Sequence, residues 1–388
     1  MKRSFALAAL VFLAAGIGFA DETAEVYQVL YRQAEGISQK YAVALSLVSL
    51  NDKATAPILS QALEELLLTQ KTYSSPVDQD LYGRTVSVLA KALGNYKYSA
   101  AAPFLWDAVQ QVPDPLARGD AMIAIGSMRA LDYVERIAGK LRDLNLQPTA
   151  DRDSGEKLAY AAIIALDKFK DIRGFSPVFF ATDAWYSLRV RKQAQQSLPT
   201  ISEDPTEPIK AILGLESPER KLRALQAEAA SKADNPSKIG TAVLALDLLH
   251  QKSPRDKTEA KLYSDIRKLA LRMLAAYKAS GPDSVDGCVA SYEKGFDDEE
   301  RLLALSALGA NGADPAASAL RDILIKLDDD QKAGLADETR NRMAKAAIEN
   351  CAIAKNRIVR PTLIAITFDD KWSGGIILAA QTALKAMP

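Results

Sequence analysis

The stretch "RLLALSALGANG", residues 301–312, carries leucine and alanine at helical spacing and then stops at glycine. Apolar residues recurring every three or four positions mark one face of an α-helix, and glycine is the residue type that most readily takes the left-handed turn closing it. With Gly309 as a register mark, Leu308 lies one before it, Ala307 two, Ala304 five, Arg301 eight and Asp297 twelve before. The same grammar returns in "DPLARGDAMIAIG", residues 114–126, where Gly126 is preceded by Ile125, Ala124, Ala121, Arg118 and Asp114. "LRVRKQAQQSLP", residues 188–199, repeats it at Pro199, and "SPERKLRALQAEA", residues 217–229, at Ala229.

Extended along the chain, the template sets marks at Gly94, Gly126, Asp167, Pro199, Ala229, Ala275, Gly309, Glu349 and Lys385. Their mean spacing, about 36 residues, lies in the range of helical-repeat proteins. Five before the mark stands Ala121, Ala162, Ala194, Ala224, Ala270, Ala304, Ala344 or Ala380, with Leu89 the one exception. Positions two, five and nine before the mark share a helical face, and one-carbon side chains there let a neighbouring helix approach closely. Between marks runs a second helical segment, often opened by proline: Pro103, Pro177, Pro208 and Pro361. Proline suits a first helical turn, whose amide has no partner to lose. A single helix pair cannot bury its apolar face alone, so the period predicts an all-α fold: a right-handed superhelical solenoid of stacked antiparallel helix pairs, about nine to ten repeats long.

The pattern D-x-x-x-R-x-x-A-x-x-A-L-G followed by a proline-started helix resembles HEAT repeats of the armadillo-like superfamily over roughly residues 80–388, with "KYAVALSLVSLNDKATAPIL", residues 40–59, as a degenerate first copy. Tetratricopeptide repeats have a similar period, but their Trp, Leu-Gly and Tyr spacing is missing. The resemblance implies a binding scaffold. It also brings to mind two kinds of HEAT-like enzyme, di-iron hydroxylases with repeated His-Glu pairs and DNA glycosylases with a basic groove, and neither matches this chain.

The first residues, "MKRSFALAALVFLAAGIGFA", place Lys2 and Arg3 before an apolar run and a small-x-small site at Gly18-Phe19-Ala20. That is the layout of a cleavable secretory leader, shorter than a spanning helix requires. The expected organisation is therefore a signal peptide over 1–20, cut after Ala20, and one continuous helical-repeat domain over 21–388. Within that domain, 21–80 is a divergent N-terminal repeat or cap, 81–369 the repeats and 370–388 a C-terminal cap helix. The expected location is periplasmic or secreted, with no membrane-spanning segment once the leader is gone. Two cysteines, Cys288 and Cys351, cannot form a disulfide framework, and a whole repeat intervenes between them, so no disulfide is expected.

The 388 residues carry 49 basic and 49 acidic side chains, and loss of Lys2 and Arg3 tips the balance slightly acidic. A nucleic-acid partner is excluded on that ground, because phosphate neutralisation needs a basic excess. His250 is the only histidine, so no His-based metal cluster and no Ser-His-Asp triad can be assembled. Phosphate loops, paired-cysteine metal spacings and nucleophile elbows are absent. The acidic runs Asp297 to Glu300, Asp328 to Asp330 and Asp369-Asp370 fall where loops should meet helix starts, and there they complement the helix dipole. No catalytic residue, cofactor or metal is implied, and the chain is read as a non-enzyme.

Positions three, six, seven and ten before each mark point away from the packed face. At the Pro199, Ala229 and Ala275 marks they include Arg189, Lys192, Gln193 and Gln196, then Arg223 and Gln226, then Lys268 and Arg272, against the acids Glu219 and Asp265. Flanking copies show Ile123, Tyr160 and Ile164 on one side and Leu302, Leu303 and Met343 on the other. In HEAT-like repeats this helix lines the concave wall, and a cationic lining focuses field toward an acidic partner. The aromatic stretch "GFSPVFFATDAWYSL", residues 174–188, has two readings: packing between stacked helices, or exposure of Trp185 and Tyr186 as binding anchors. The expectation is an exported protein-binding scaffold that presents a groove to an extended or acidic segment of an envelope protein. Its alternative is an accessory subunit or polysaccharide-binding module of an envelope enzyme complex.

Overall fold

The computed structural model describes residues 20–335 and 337–387, and residues 1–19 of the expected leader peptide lie outside that range. Among the described residues the regular structure is helical throughout, in twenty α-helices joined by short turns. The chain divides between Ser202 and Glu203 into two compact units. The break falls between two helix pairs with no change of local grammar, so nothing in composition marks it.

The first unit holds α1 (Ala20–Gln33), α2 (Ile37–Ser49), α3 (Ala56–Leu68), α4 (Pro76–Tyr96), α5 (Ala102–Gln111), α6 (Pro115–Met128), α7 (Val134–Leu146), α8 (Arg152–Phe169), α9 (Phe175–Ala181) and α10 (Leu188–Ile201). The second holds α11 (Thr206–Leu215), α12 (Pro218–Ala230), α13 (Asn235–His250), α14 (Lys257–Tyr277), α15 (Asp283–Lys294), α16 (Asp298–Asn311), α17 (Asp314–Lys332), α18 (Glu338–Ala354), α19 (Arg360–Phe368) and α20 (Gly374–Ala386). Each even helix packs on the odd helix before it. In the first unit α2, α4, α6, α8 and α10 also pack each on the next, and in the second α12, α14, α16, α18 and α20 do the same. Odd helices also pack on one another within each unit, α1 on α3, α3 on α5 and α7 on α9 in the first, and α11 through α19 in the second. Each unit is thus an α-solenoid of five helix pairs.

Every register mark falls in an even helix, and the four proline-opened segments are α5, α9, α11 and α19. The residue five before the mark, alanine or Leu89, has no exposed surface in any of the nine copies. The aspartate twelve before the mark is the N-cap of its helix. Asp114 accepts from the Leu116 and Ala117 amides at 3.1 Å, Asp297 from Glu300 at 3.0 Å and Asp337 from Arg340 at 2.7 Å. Such caps pair amides that the helix itself cannot satisfy. In two copies the cation eight before the mark reaches back to the end of the preceding odd helix: Arg118 Nε donates to the Val109 carbonyl at 2.8 Å, and Lys221 donates to that of Leu213, whereas Arg267 at the same position pairs with Glu300 of α16. Those carbonyls also lack helical partners, so one short motif closes two helix ends.

The close approach of even helices is tightest at the glycine marks. A β-carbon on Gly94 would lie 2.8 Å from Ala124 Cα, a distance that ordinary packing does not allow. At the C-terminal edge Trp372 is buried, its indole donating to Asp328 at 2.8 Å, and α20 covers α18 and α19 with Ile376, Ala380 and Ala383. No helix among the described residues is long and apolar enough to cross a membrane. Cys288 and Cys351 are both free and buried, and burial pushes each thiol up to about 12.

Candidate partner-binding surface

In the first unit α10 buries Val190, Ala194 and Ser197 and exposes Arg189, Lys192 and Gln196, as the register requires. Gln193 is half-buried and donates to Ser197. The Arg189 guanidinium lies 4.9 Å from the centre of the Tyr160 ring, a cation–π distance. Below it a furrow of about 330 Å³ crosses α6, α8 and the start of α10, floored by Leu116, Ile123, Tyr160, Ala161 and Val190. Three acids border this furrow, and each is engaged. Asp120 pairs with Lys91 at 2.9 Å and accepts from Ser87, Asp153 pairs with Lys157 at 2.5 Å, and Glu156 accepts the Ser187 amide at 2.8 Å. Among the described residues Arg189 and Lys192 make no ion pair; Arg189 borders the apolar floor, and Lys192 is exposed one helical turn further along α10.

The second unit corrects the expected stripe. Lys268, expected to point away from the packed face, is buried at 7% exposure, its ammonium 2.6 Å from Asp297 and 3.0 Å from Glu299 of α16. Burial pulls its pKa down, but the two carboxylates outweigh that and hold it above the ordinary lysine value. Glu299 also takes Arg272, at 2.6 Å. The acids of the "DDEE" run, residues 297–300, therefore neutralise the cations of the preceding copy as well as capping α16. Gln226 is exposed and Arg223 half-exposed on α12. Met343, expected on the open face, is buried.

Trp185 and Tyr186 do not serve as exposed anchors. Tyr186 is 3% exposed, and its hydroxyl donates to Asn145 Oδ1 at 3.0 Å, while burial raises its phenol pKa above the usual range. Trp185 is half-buried and donates to the Leu144 carbonyl at 2.7 Å, with the Arg152 guanidinium 5.2 Å from its ring. Both side chains fasten the turn before α10 to the end of α7. Sequence reasoning missed the exposed Leu116 of the furrow, because that position precedes the alanine register.

A polar cavity of about 580 Å³ lies at the start of α12 and α14, with Lys221, Lys252 and Arg255 set among Glu216, Glu219 and Glu259. Burial, then the neighbouring Lys252, brings Lys221 down to about 8, yet its ammonium is committed to closing α11. His250 is half-buried between α13 and α15, its Nε2 2.8 Å from Ser291 Oγ. Among the described residues no group of three or more His, Cys, Asp or Glu side chains could hold a metal ion.

Consecutive pairs built on one grammar, each stacking on the next within its unit, define a helical-repeat protein. No protein-family model matches the chain, and no curated protein does. Among solved structures it is similar to one described as "Circular tandem repeat protein with novel repeat topology and enhanced subunit contact surfaces". The two share 10% identity over 95% of this chain and 81% of that one, with a TM-score of 0.21, and nothing further is drawn from that likeness.

Proposed function

We propose that the protein is an exported, non-enzymatic scaffold of the HEAT-repeat kind, and that the furrow across α6, α8 and α10 takes an extended acidic segment of a partner protein. One observation carries the reading: among the described residues Arg189 stands without an acid partner beside an apolar floor whose bordering acids are all engaged, with Lys192, likewise without an ion pair, one turn further along α10. A segment alternating acidic and aliphatic side chains complements both features, the acids at Arg189 and Lys192 and the aliphatic groups over Ile123 and Tyr160. The HEAT assignment is supported by the roles found for the motif, with aspartate as N-cap, the cation as closure of the preceding helix and alanine at the helix contact.

The experiment is a binding titration of fluorescent peptides alternating Glu and Leu, or Lys and Leu, against the full chain and the double variant Arg189→Glu, Lys192→Glu. The acidic peptide should bind in a salt-dependent manner, the basic one should not, and the double variant should lose acidic binding with its helical circular dichroism unchanged. Equal binding of both peptides, or none, overturns the reading. Retention on cell-wall polymer by both forms would favour a polysaccharide-binding module instead. Export is tested separately by N-terminal sequencing of the mature chain, which should begin at Asp21.

A further inference from the structure

A second cavity in the first unit lies apart from the furrow, between the end of α5, the start of α6, the C-terminal half of α7 and the middle of α8. It measures about 190 Å³. Two cations line it, Arg118 and Lys140, together with Asp143, and its remaining wall is aliphatic, including Met122, Leu144 and Leu158. Both cations are half-buried, and among the described residues neither makes an ion pair. Arg118 commits only Nε, to the Val109 carbonyl, which leaves its terminal nitrogens for another acceptor.

Each charge is fixed separately, Arg118 by its bond to the Val109 carbonyl and Lys140 by packing. Trp106 of α5 is buried, and both α7 cations lie against it, Lys140 with its ammonium 5.6 Å from the ring centre and Arg136 at 5.7 Å. Burial lowers the pKa of Arg118, and burial followed by Arg118 itself lowers that of Lys140, while Asp143 offsets only part. Like charges confined together in a partly desolvated pocket are costly unless an anion joins them. A guanidinium fork beside an ammonium suits a carboxylate, and the aliphatic walls suit what the carboxylate is attached to. At ~30 Å³ per water-sized group the cavity has room for roughly six to seven heavy atoms, the size of a branched five-carbon carboxylate.

We propose that this pocket binds a small aliphatic monocarboxylate, its carboxyl group between Arg118 and Lys140 and its branched tail against Met122, Leu144 and Leu158. The chemistry is common to a free short-chain acid and to the C-terminal residue of a peptide chain. A free phosphate satisfies the cations but leaves the aliphatic walls bare.

The test is calorimetric titration of the full chain with isovalerate, with inorganic phosphate, and with acetylated alanyl-leucine as acid and as C-terminal amide. Lys140→Met keeps the side-chain stem on Trp106 and removes only the charge, so it should weaken isovalerate about tenfold, the loss of one charge-assisted hydrogen bond. Arg118→Lys can still close α5 but loses the fork, and should also weaken binding. Both variants should keep the wild-type helical circular dichroism. Binding of the peptide acid but not its amide identifies a chain terminus as the source, and binding of isovalerate alone identifies a free acid. Absence of saturable isovalerate binding, equal binding of phosphate, or an unchanged affinity in Lys140→Met overturns the proposal.

Discussion

Gly126 faces the backbone of Ala165 so closely that a β-carbon at position 126 would lie 2.6 Å from the Ala165 carbonyl oxygen and 2.8 Å from its α-carbon. Backbone atoms cannot rotate away as side-chain ends do, so Gly126→Ala must push α6 off α8. Overpacking of this kind costs about 1–3 kcal/mol. The expected outcome is a melting temperature several degrees lower by circular dichroism. Gly240→Ala in α13 has open space at its β-carbon and should instead gain roughly 0.5–1 kcal/mol from helix propensity.

Glu300 has no exposed side-chain surface, and it takes Arg267 through Nε at 2.6 Å and the Ser264 hydroxyl at 2.7 Å. Glu300→Ala leaves the guanidinium of Arg267, itself 10% exposed, without a counter-charge, at an expected cost of about 3–5 kcal/mol. Replacing both partners, as in Arg267→Met with Glu300→Leu, should return most of that stability. Denaturant midpoints of the three chains decide the matter: a single variant as stable as wild type would contradict a buried pair.

His250 supplies a pH signature. Burial, then the nearby Arg267, lowers its pKa below 6.5, although Glu300 and the Gly287 backbone act the other way and Lys294 adds to the lowering. The unfolded chain therefore binds a proton before the folded one does. Stability falls as the pH drops below about 6.5, and the loss is complete once the pH is under the folded value. Between about pH 7 and pH 5.5, where ordinary carboxylates stay ionised, His250→Gln should show a flatter dependence of unfolding free energy than wild type. Parallel curves would remove His250 as the cause.

Deleting residues 370–388 removes α20 and Trp372, baring the faces of α18 and α19 and leaving Asp328 without its indole donor. Repeat arrays owe their stability to neighbour contacts and their solubility to closed ends. The truncated chain should aggregate or melt earlier in size-exclusion and thermal scans. A monomer with unchanged melting would show that α20 is dispensable.

The alanine register was legible in the sequence because it is a local property. Helical spacing alone decides which residues of α6 or α16 share a face, and small side chains recurring on that face can only mean close helix packing. Asp297 was legible as a helix start for the same reason, and so was the close packing of the column from Ala121 to Ala380. The partners of long side chains were not legible, because they come from other copies of the repeat. Lys268 points from the face that spacing assigns to it, yet its four-carbon stem carries the ammonium back to Asp297 and Glu299 on the next even helix. Tyr186 is buried by Asn145, some forty residues earlier, through a hydrogen bond that periodicity cannot anticipate. Arg118 and Lys140 belong to different repeats, and only the stacking of α5, α6, α7 and α8 brings them to one cavity. The helices and their buried faces follow from local spacing, whereas the distribution of uncompensated charge is decided by tertiary packing, because electrostatic partners are set by distance in space and not along the chain.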